Sequence, residues 1–310
     1  MHDLLTAFGL PQDGTFTVLS GGHIHRTLRY AWNGGSVILQ RLHPSAFPDP
    51  HALMQNLRLV TRRLTACSIP TLHYLSCTDG TALFTDAQGG CWRAMDDLGT
   101  CPGTPDPYAA GLALGRFQKA LDGLEGLVPV SPGFHDTARY FDALDALCRT
   151  RVLTPAQQRL AGALLPLREA ACALQGLPLR TVHGDPKAEN FFPAPAPVLL
   201  DLDTVMYAPA GYDLGDAVRS LCTVNGIPDR AMQERLTAGF LEGAGHLTPA
   251  ERRTLSDAPF CVTAELSVRY LTDAVQGGTY FGLPPEDCLA RAQARFRLAE
   301  AFLSVSHSAF

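Results

Sequence analysis

No run of eighteen apolar residues occurs in the 310-residue chain, so the sequence offers no candidate transmembrane helix. Positive charge is in short supply. The 25 Lys and Arg stand against 30 Asp and Glu, and a net charge of −5 gives no general attraction to nucleic acid or to an anionic membrane. The nine cysteines are scattered without a C-x-x-C pair, and H-E-x-x-H is missing too, which argues against a zinc enzyme and fits small buried thiols in a reducing compartment. The opening Met1-His-Asp-Leu-Leu lacks a basic segment and a long apolar core, so no signal peptide is read and a cytoplasmic location is expected. No internal repeat is visible.

What is present is a globular balance, 46% hydrophobic and 18% charged. The length suits two lobes or one domain with a large insertion. Proline and glycine cluster where elements should break.

The chemistry concentrates in His183-Gly-Asp-Pro-Lys-Ala-Glu-Asn190, followed by Val198-Leu-Leu-Asp201-Leu-Asp203. An acid at Asp185, an amide five residues later and a second carboxylate at Asp201 are the parts of a phosphoryl-transfer site. Such a site needs a carboxylate to accept the proton of an attacking hydroxyl and oxygen ligands to hold magnesium on the ATP phosphates. Asp185 suits the first task, Asn190 and Asp201 the second, and Asp203 either joins the metal shell or braces the loop. The apolar residues before Asp201 read as a short buried strand that would deliver its carboxylate. His-Gly-Asp-Pro is also good turn chemistry, which is the plainer alternative.

His183-Gly-Asp-Pro-Lys-Ala-Glu-Asn190 resembles the catalytic loop H-R-D-x-x-x-x-N of protein kinases, with Gly for Arg as in the aminoglycoside and choline kinase-like phosphotransferases. Asp201-Leu-Asp-Thr-Val-Met206 and Tyr212-Asp-Leu-Gly-Asp-Ala-Val-Arg219 are similar to the N-acetylhexosamine 1-kinase branch, as are Ser20-Gly-Gly-His-Ile-His25 with Val37-Ile-Leu-Gln-Arg41, and Arg269-Tyr-Leu-Thr-Asp273 with Tyr280-Phe281. The resemblance implies a protein-kinase-like α+β fold, with a small antiparallel β N-lobe (1–97) over a larger helical C-lobe (98–310). It also implies an ATP-dependent kinase acting on a small-molecule sugar, with magnesium as cofactor and a monomer or homodimer as the assembly. By the same resemblance Lys187 approaches the γ-phosphate, the hinge backbone of Arg93 to Asp97 hydrogen-bonds adenine, and Asp216, Arg269 and Tyr280 reach the acceptor, with His25 covering it from above.

The rest of the chain supplies the setting. Leu4–Phe8 reads as a short helix, then Thr15–Leu19, Arg26–Trp32 and Val37–Leu42 as strands with Asn33-Gly-Gly35 as a hairpin signal. Gly21 and Gly22 would let backbone approach phosphate, or serve as a plain turn. At the third strand the kinase V-A-I-K pattern places Gln40 where lysine is usual. Arg41, one residue on, points to the opposite face of an ideal strand, so a bulge would be needed to bring it in. The helix from Pro50 offers Gln55 and Asn56 instead of the usual glutamate. Tyr108–Leu121 has apolar residues at helical spacing, Asp136–Arg149 and Thr154–Ala173 read as further helices, and Asp136 or Thr137 serves as an N-cap. One of Asp213 and Asp216 is expected to brace the catalytic loop, and Arg269 could instead pair with Glu265 or Asp273 on its own helix.

Two other readings remain. An aminoglycoside, choline or homoserine kinase of the same superfamily would favour an acidic acceptor pocket, but residues 229–310 hold ten acids against eight arginines. A kinase-like binding module without catalysis would explain the missing lysine, though Asp185, Asn190 and Asp201 oppose it.

Overall fold

A computed structural model describes residues 1–19, 25–101 and 103–307. Helix α1 (His2–Ala7) precedes strands β1 (Thr15–Val18), β2 (Arg26–Trp32) and β3 (Gly35–Arg41). Helix α2 (Pro50–Ala66) leads to β4 (Tyr74–Leu75), β5 (Phe84–Thr85) and β6 (Cys91–Asp96). The strands form one antiparallel sheet in the order β1-β2-β3-β6-β4, with β5 also on β6. Asn33 and Gly34 close the β2–β3 hairpin, where Gly34 has φ 116°, a conformation a side chain resists. One sheet face is apolar and carries Leu28, Tyr30, Leu39, Trp92 and Ala94. Leu4 and Leu5 of α1, with Phe8 just after it, cover this face and form a small core with it.

Helices dominate the remainder. After α3 (Pro107–Leu121) and α4 (Thr137–Thr150), α5 (Pro155–Leu164) passes through a 3₁₀ turn into α6 (Arg168–Ala171). The single helix expected over Thr154–Ala173 therefore breaks at Pro166, whose ring removes an amide donor and crowds the preceding turn. The N-caps follow the local chemistry: Asp136 accepts from Arg139 N–H, and Thr154 and Gln157 form a capping box. Then come β7 (Leu179–Val182), β8 (Phe191–Phe192), β9 (Val198–Leu199), β10 (Met206–Pro209), α7 (Gly211–Leu221), β11 (Thr223–Val224), β12 (Ile227–Pro228), α8 (Arg230–Gly243), α9 (Pro249–Thr254), α10 (Ala258–Gln276) and α11 (Pro285–His307). Strand β7 pairs with β10, and β8 with β9, so two short ribbons present the loops between them.

Helices α3 and α8 meet backbone to backbone. A Cβ on Gly111 would stand 2.0 Å from the Leu236 carbonyl oxygen, and one on Gly239 2.1 Å from that of Tyr108. This contact anchors α3, which in turn supports the loop that begins at His183, because Gln118 donates to Asp213 and Asp213 holds the His183 and Gly184 N–H groups. The small β-sheet over a helical body is the α+β, protein-kinase-like architecture expected from the sequence. No helix among the described residues is long and apolar enough to cross a membrane.

Candidate active site

The loop after β7 is held from three sides. His183 donates from Nε2 to the Leu200 carbonyl (2.8 Å), while its Nδ1 accepts the Asp185 N–H (3.3 Å). Asp213, fully buried on α7, accepts the N–H groups of His183 and Gly184 at 2.8 Å each and a third hydrogen bond from Gln118 Nε2. Burial raises the Asp213 pKa, and His183 and these donors oppose that rise. Gly184 has φ 87°, and a Cβ there would lie 2.5 Å from the Thr204 carbonyl oxygen, so the loop requires glycine. Of the two aspartates weighed as a brace, Asp213 is the one that holds the loop.

Asp185 is half-buried beyond this brace. Lys187 Nζ donates to its Oδ2 at 2.5 Å, and Asn190 Nδ2 donates to its carbonyl oxygen at 2.8 Å and to the same Oδ2 at 3.3 Å. Among the described residues no donor reaches Oδ1, which leaves that oxygen to accept a proton. Burial and the Asp216 carboxylate raise the Asp185 pKa, and Lys187 opposes both. Lys187 is itself raised: Asp185 outweighs the desolvation of its ammonium.

Asp201 enters from the end of β9, where Leu200 N–H donates to the Asn190 carbonyl (2.8 Å) and ties the two ligand candidates together. It adopts φ 55°, a left-handed conformation that turns the chain sharply. Its carboxylate is open to the cleft and receives no hydrogen bond from the described residues. Even so, the surrounding protein desolvates it and, together with Asp203, raises its pKa, while Arg93 and Lys187 pull the other way. The undonated Asp201 carboxylate and an Asn190 Oδ1 that receives no hydrogen bond from the described residues are hard-oxygen groups that suit a divalent cation such as magnesium.

Asp203 departs from the sequence expectation. It is 2% exposed, and Arg93 grips both of its oxygens, Nη1 to Oδ1 at 2.6 Å and Nη2 to Oδ2 at 2.9 Å. His25 Nε2 donates to Oδ2 at 2.9 Å, and His25 Nδ1 accepts the His43 N–H. Asp203 is thus a buried ion-pair partner with both oxygens engaged by protein donors, and both ring nitrogens of His25 are engaged inside the protein.

The cause lies in strand register. Gln40 and Arg93 are direct partners across β3 and β6, so they share the cleft face of the sheet. Gln40 Oε1 accepts from Arg93 Nε and Nη2 at 3.0 and 2.7 Å, while Gln40 Nε2 donates to Thr27. Arg93 is therefore the buried cation of the sheet roof, stacked over Tyr74 at 5.4 Å. Arg41 shares the other face with Trp92 and pairs with Asp86 at 3.2 Å. No bulge brings Arg41 into the cleft, so it is not a phosphate contact. Asp97 accepts from Arg29 Nε (2.5 Å), Ser36 Oγ (2.6 Å) and Gly99 N–H (2.9 Å), which makes its carboxylate a hinge fastener. Asn56 clamps Val128 by both amide atoms and plays no part in the roof. Gly21 and Gly22 lie outside the described residues.

Farther along the chain, Asp216 accepts two hydrogen bonds from Arg219 at Oδ1 (2.8 and 2.6 Å), and its buried Oδ2 has no partner among the described residues. Arg269 Nη2 donates to Tyr280 Oη at 2.8 Å, and its Nη1 stands 3.8 Å from Glu265. The guanidinium is boxed by the rings of Phe134, Tyr140, Tyr280 and Phe281, 4.9 to 5.8 Å from their centres. Asp273 instead accepts the Tyr280 and Phe281 N–H groups and so places that loop. Tyr280 is 66% exposed. Gln118, which holds Asp213, and His135, whose ring nitrogens face Gly184 and Glu265, also support this region, yet sequence reasoning gave His135 no role and overlooked Gln118. Their partners lie far away in the chain, so only the pairing of buried polar residues could have pointed to them.

The sequence profile of the phosphotransferase enzyme family (APH) matches residues 15–253. Among solved structures, the amicoumacin kinase hAmiN in complex with AMP-PNP, Ca2+ and Ami superimposes with a TM-score of 0.66 at 16% identity, covering 94% of this chain and 89% of that one. A choline/ethanolamine kinase family protein from Mesorhizobium loti gives a TM-score of 0.61 at 18% identity, covering 94% of this chain and 88% of that one. Spectinomycin phosphotransferase, in complex with ADP and its antibiotic, gives 0.63 at 11% identity, with 97% of each chain covered.

Proposed function

Because this chain belongs to the phosphotransferase enzyme family, we propose that it transfers the γ-phosphate of ATP to a hydroxyl group of a small molecule in the cleft between sheet and helices. The observation that carries the reading is the state of Asp185: Lys187 and Asn190 fix one carboxylate oxygen and leave the other free. A loose phosphoryl-transfer transition state needs positioning more than a strong base, and a half-buried carboxylate held at one oxygen supplies it. In this reading Asp185 Oδ1 accepts the proton of the attacking hydroxyl. Lys187, fixed beside it, directs its ammonium toward the incoming phosphoryl group. Asn190 and Asp201 would hold a divalent cation, magnesium in our assignment, which when bound shields phosphate charge. The neighbour solved with AMP-PNP and Ca2+ supports a nucleotide and a divalent ion here. The lobe boundary falls after Asp97, at the hinge.

For the acceptor we favour a sugar, specifically the anomeric hydroxyl of an N-acetylhexosamine or a related sugar. The Arg269–Tyr280 pair supports this, since it offers hydroxyl-matching donors and an exposed aromatic face. The four-ring box also disfavours cationic acceptors such as choline or an aminoglycoside, because the protein's own guanidinium already fills it. Phosphorus NMR of products formed from ATP, magnesium and a panel of N-acetylhexosamines, hexoses, choline, homoserine and an aminoglycoside tests both levels. An anomeric-phosphate doublet from one sugar is the expected result. Phosphate on choline or an aminoglycoside would overturn the sugar assignment alone. No transfer, with nucleotide still bound, would point to a binding module.

A further inference from the structure

The segment Phe134-His-Asp-Thr137 holds a buried polar network outside the phosphoryl-transfer residues. His135 is 8% exposed and adopts φ 58°, a strained conformation for a side-chain-bearing residue. Its Nε2 lies 2.8 Å from the Gly184 carbonyl oxygen, next to Asp185 in the chain. Its Nδ1 lies 3.1 Å from Glu265 Oε1. The other oxygen of Glu265 accepts from Thr137 Oγ1 at 2.6 Å, and that hydroxyl accepts in turn from Tyr212. The imidazole stacks on Tyr212 at 4.6 Å.

A carbonyl oxygen can only accept, and an ionised carboxylate can only accept. A neutral imidazole has one N–H and can satisfy only one of the two. We propose that His135 is an imidazolium that positions the catalytic loop, fastening the carbonyl beside Asp185 to the α10 carboxylate that also faces Arg269. The inference rests on the phosphotransfer reading of Asp185 only for its catalytic consequence.

The groups facing the ring are Glu265 and Arg269 from α10, Tyr212 from α7, Phe134 on its own segment and the Gly184 carbonyl of the loop that carries Asp185. Burial disfavours the charged ring and Arg269 repels it, but Glu265 and the Gly184 carbonyl outweigh both and raise the His135 pKa. Glu265 is correspondingly lowered: burial alone would raise it, and His135 and Arg269 overcome that. Since the folded-state pKa is raised, the fastening is complete below the unfolded-state value and is lost as pH rises through the folded one. Deprotonation releases one of the two acceptors, and the Asp185 loop loosens.

Nitrogen-15 NMR of the histidine-labelled full chain tests the charge without any acceptor, with the His135 signal identified by its loss in His135→Gln. At about pH 7.5, where an ordinary histidine is neutral, both ring nitrogens should carry protons, and Glu265→Gln should move deprotonation to lower pH. A singly protonated ring at that pH in the wild type would overturn the proposal. The kinetic arm uses ATP, magnesium and whichever acceptor of the panel is phosphorylated. His135→Ala should lower kcat by about 10²-fold with KM for ATP nearly unchanged. His135→Gln keeps a donor for Gly184 but has no proton to lose, so it should restore much of kcat and lack the alkaline inflection expected of the wild type. Persistence of that inflection in His135→Gln would also overturn the proposal. If no acceptor is turned over, the kinase reading fails and the NMR result alone decides the state of His135.

Discussion

Replacing Arg93 by Met should destabilise the protein far more than replacing Arg93 and Asp203 together. Both partners are sealed off, 1% and 2% exposed, and are joined by two hydrogen bonds of 2.6 and 2.9 Å. Removing one partner strands a buried charge, and truncations of this kind cost about 3–5 kcal/mol. With Arg93 gone, Asp203 keeps only His25, and Gln40 Oε1 loses both of its donors. Replacing the pair by apolar side chains of similar volume removes the desolvation penalty with the attraction, so Arg93→Met/Asp203→Leu should regain most of the loss. A pH series supplies an independent magnitude. Burial would raise the Asp203 pKa, but Arg93 and His25 overcome it and hold it at about 2, below the ordinary aspartate range. That depression corresponds to about 2 kcal/mol of stability, fully present above the unfolded-state pKa and lost as pH falls through the folded one. The stability gap between wild type and Asp203→Asn should therefore narrow between about pH 4 and pH 2. Urea unfolding with linear extrapolation reads both quantities. Equal stability of the Arg93→Met and double variants, together with a pH-independent gap for Asp203→Asn, would refute the buried-pair assignment.

Asp185→Asn should lower kcat by orders of magnitude with ATP binding largely intact, as steady-state kinetics and a nucleotide titration will show; lost ATP affinity with intact chemistry would contradict the base assignment. Asp201→Ala removes the carboxylate that no protein donor satisfies, so magnesium-dependent nucleotide binding should weaken in calorimetric titrations, and unchanged magnesium dependence would count against it. Gly239→Ala gains helix propensity of about 1 kcal/mol, but its Cβ would lie 2.1 Å from the Tyr108 carbonyl oxygen. Forcing α3 and α8 apart should give a net loss of about 1–3 kcal/mol in denaturant unfolding, and a neutral result would mean that the helices separate freely.

The parts of this site that sequence reading identified lie close together in the chain. His183 to Asn190 forms one loop, so turn chemistry and residue spacing alone bring Lys187 and Asn190 onto Asp185. The strand alternation that set Gln40 and Arg41 on opposite faces is equally local, and the structure keeps it without a bulge. Likewise, Pro155, Thr154 and Asp136 mark helix starts by backbone chemistry within four residues.

The errors share the opposite property. Asp203 reads either as a ligand or as a brace of its loop, because only Asp201 and the loop are near it in the chain, yet Arg93 and His25 claim it from 110 and 178 positions away. His25 reads as an acceptor contact because it follows a glycine pair, but its second nitrogen meets His43. His135 reads as the neighbour of a helix cap, whereas its partners at Gly184 and Glu265 are 49 and 130 residues off. The sequence by itself determined the order of elements, the reactive loop and the face each strand residue would take, because these follow from short-range sterics and periodicity. Which buried charge meets which was decided only by the tertiary structure. An ion pair inside a protein is selected by sheet register and helix packing, and a charge left without its partner there is too costly to keep.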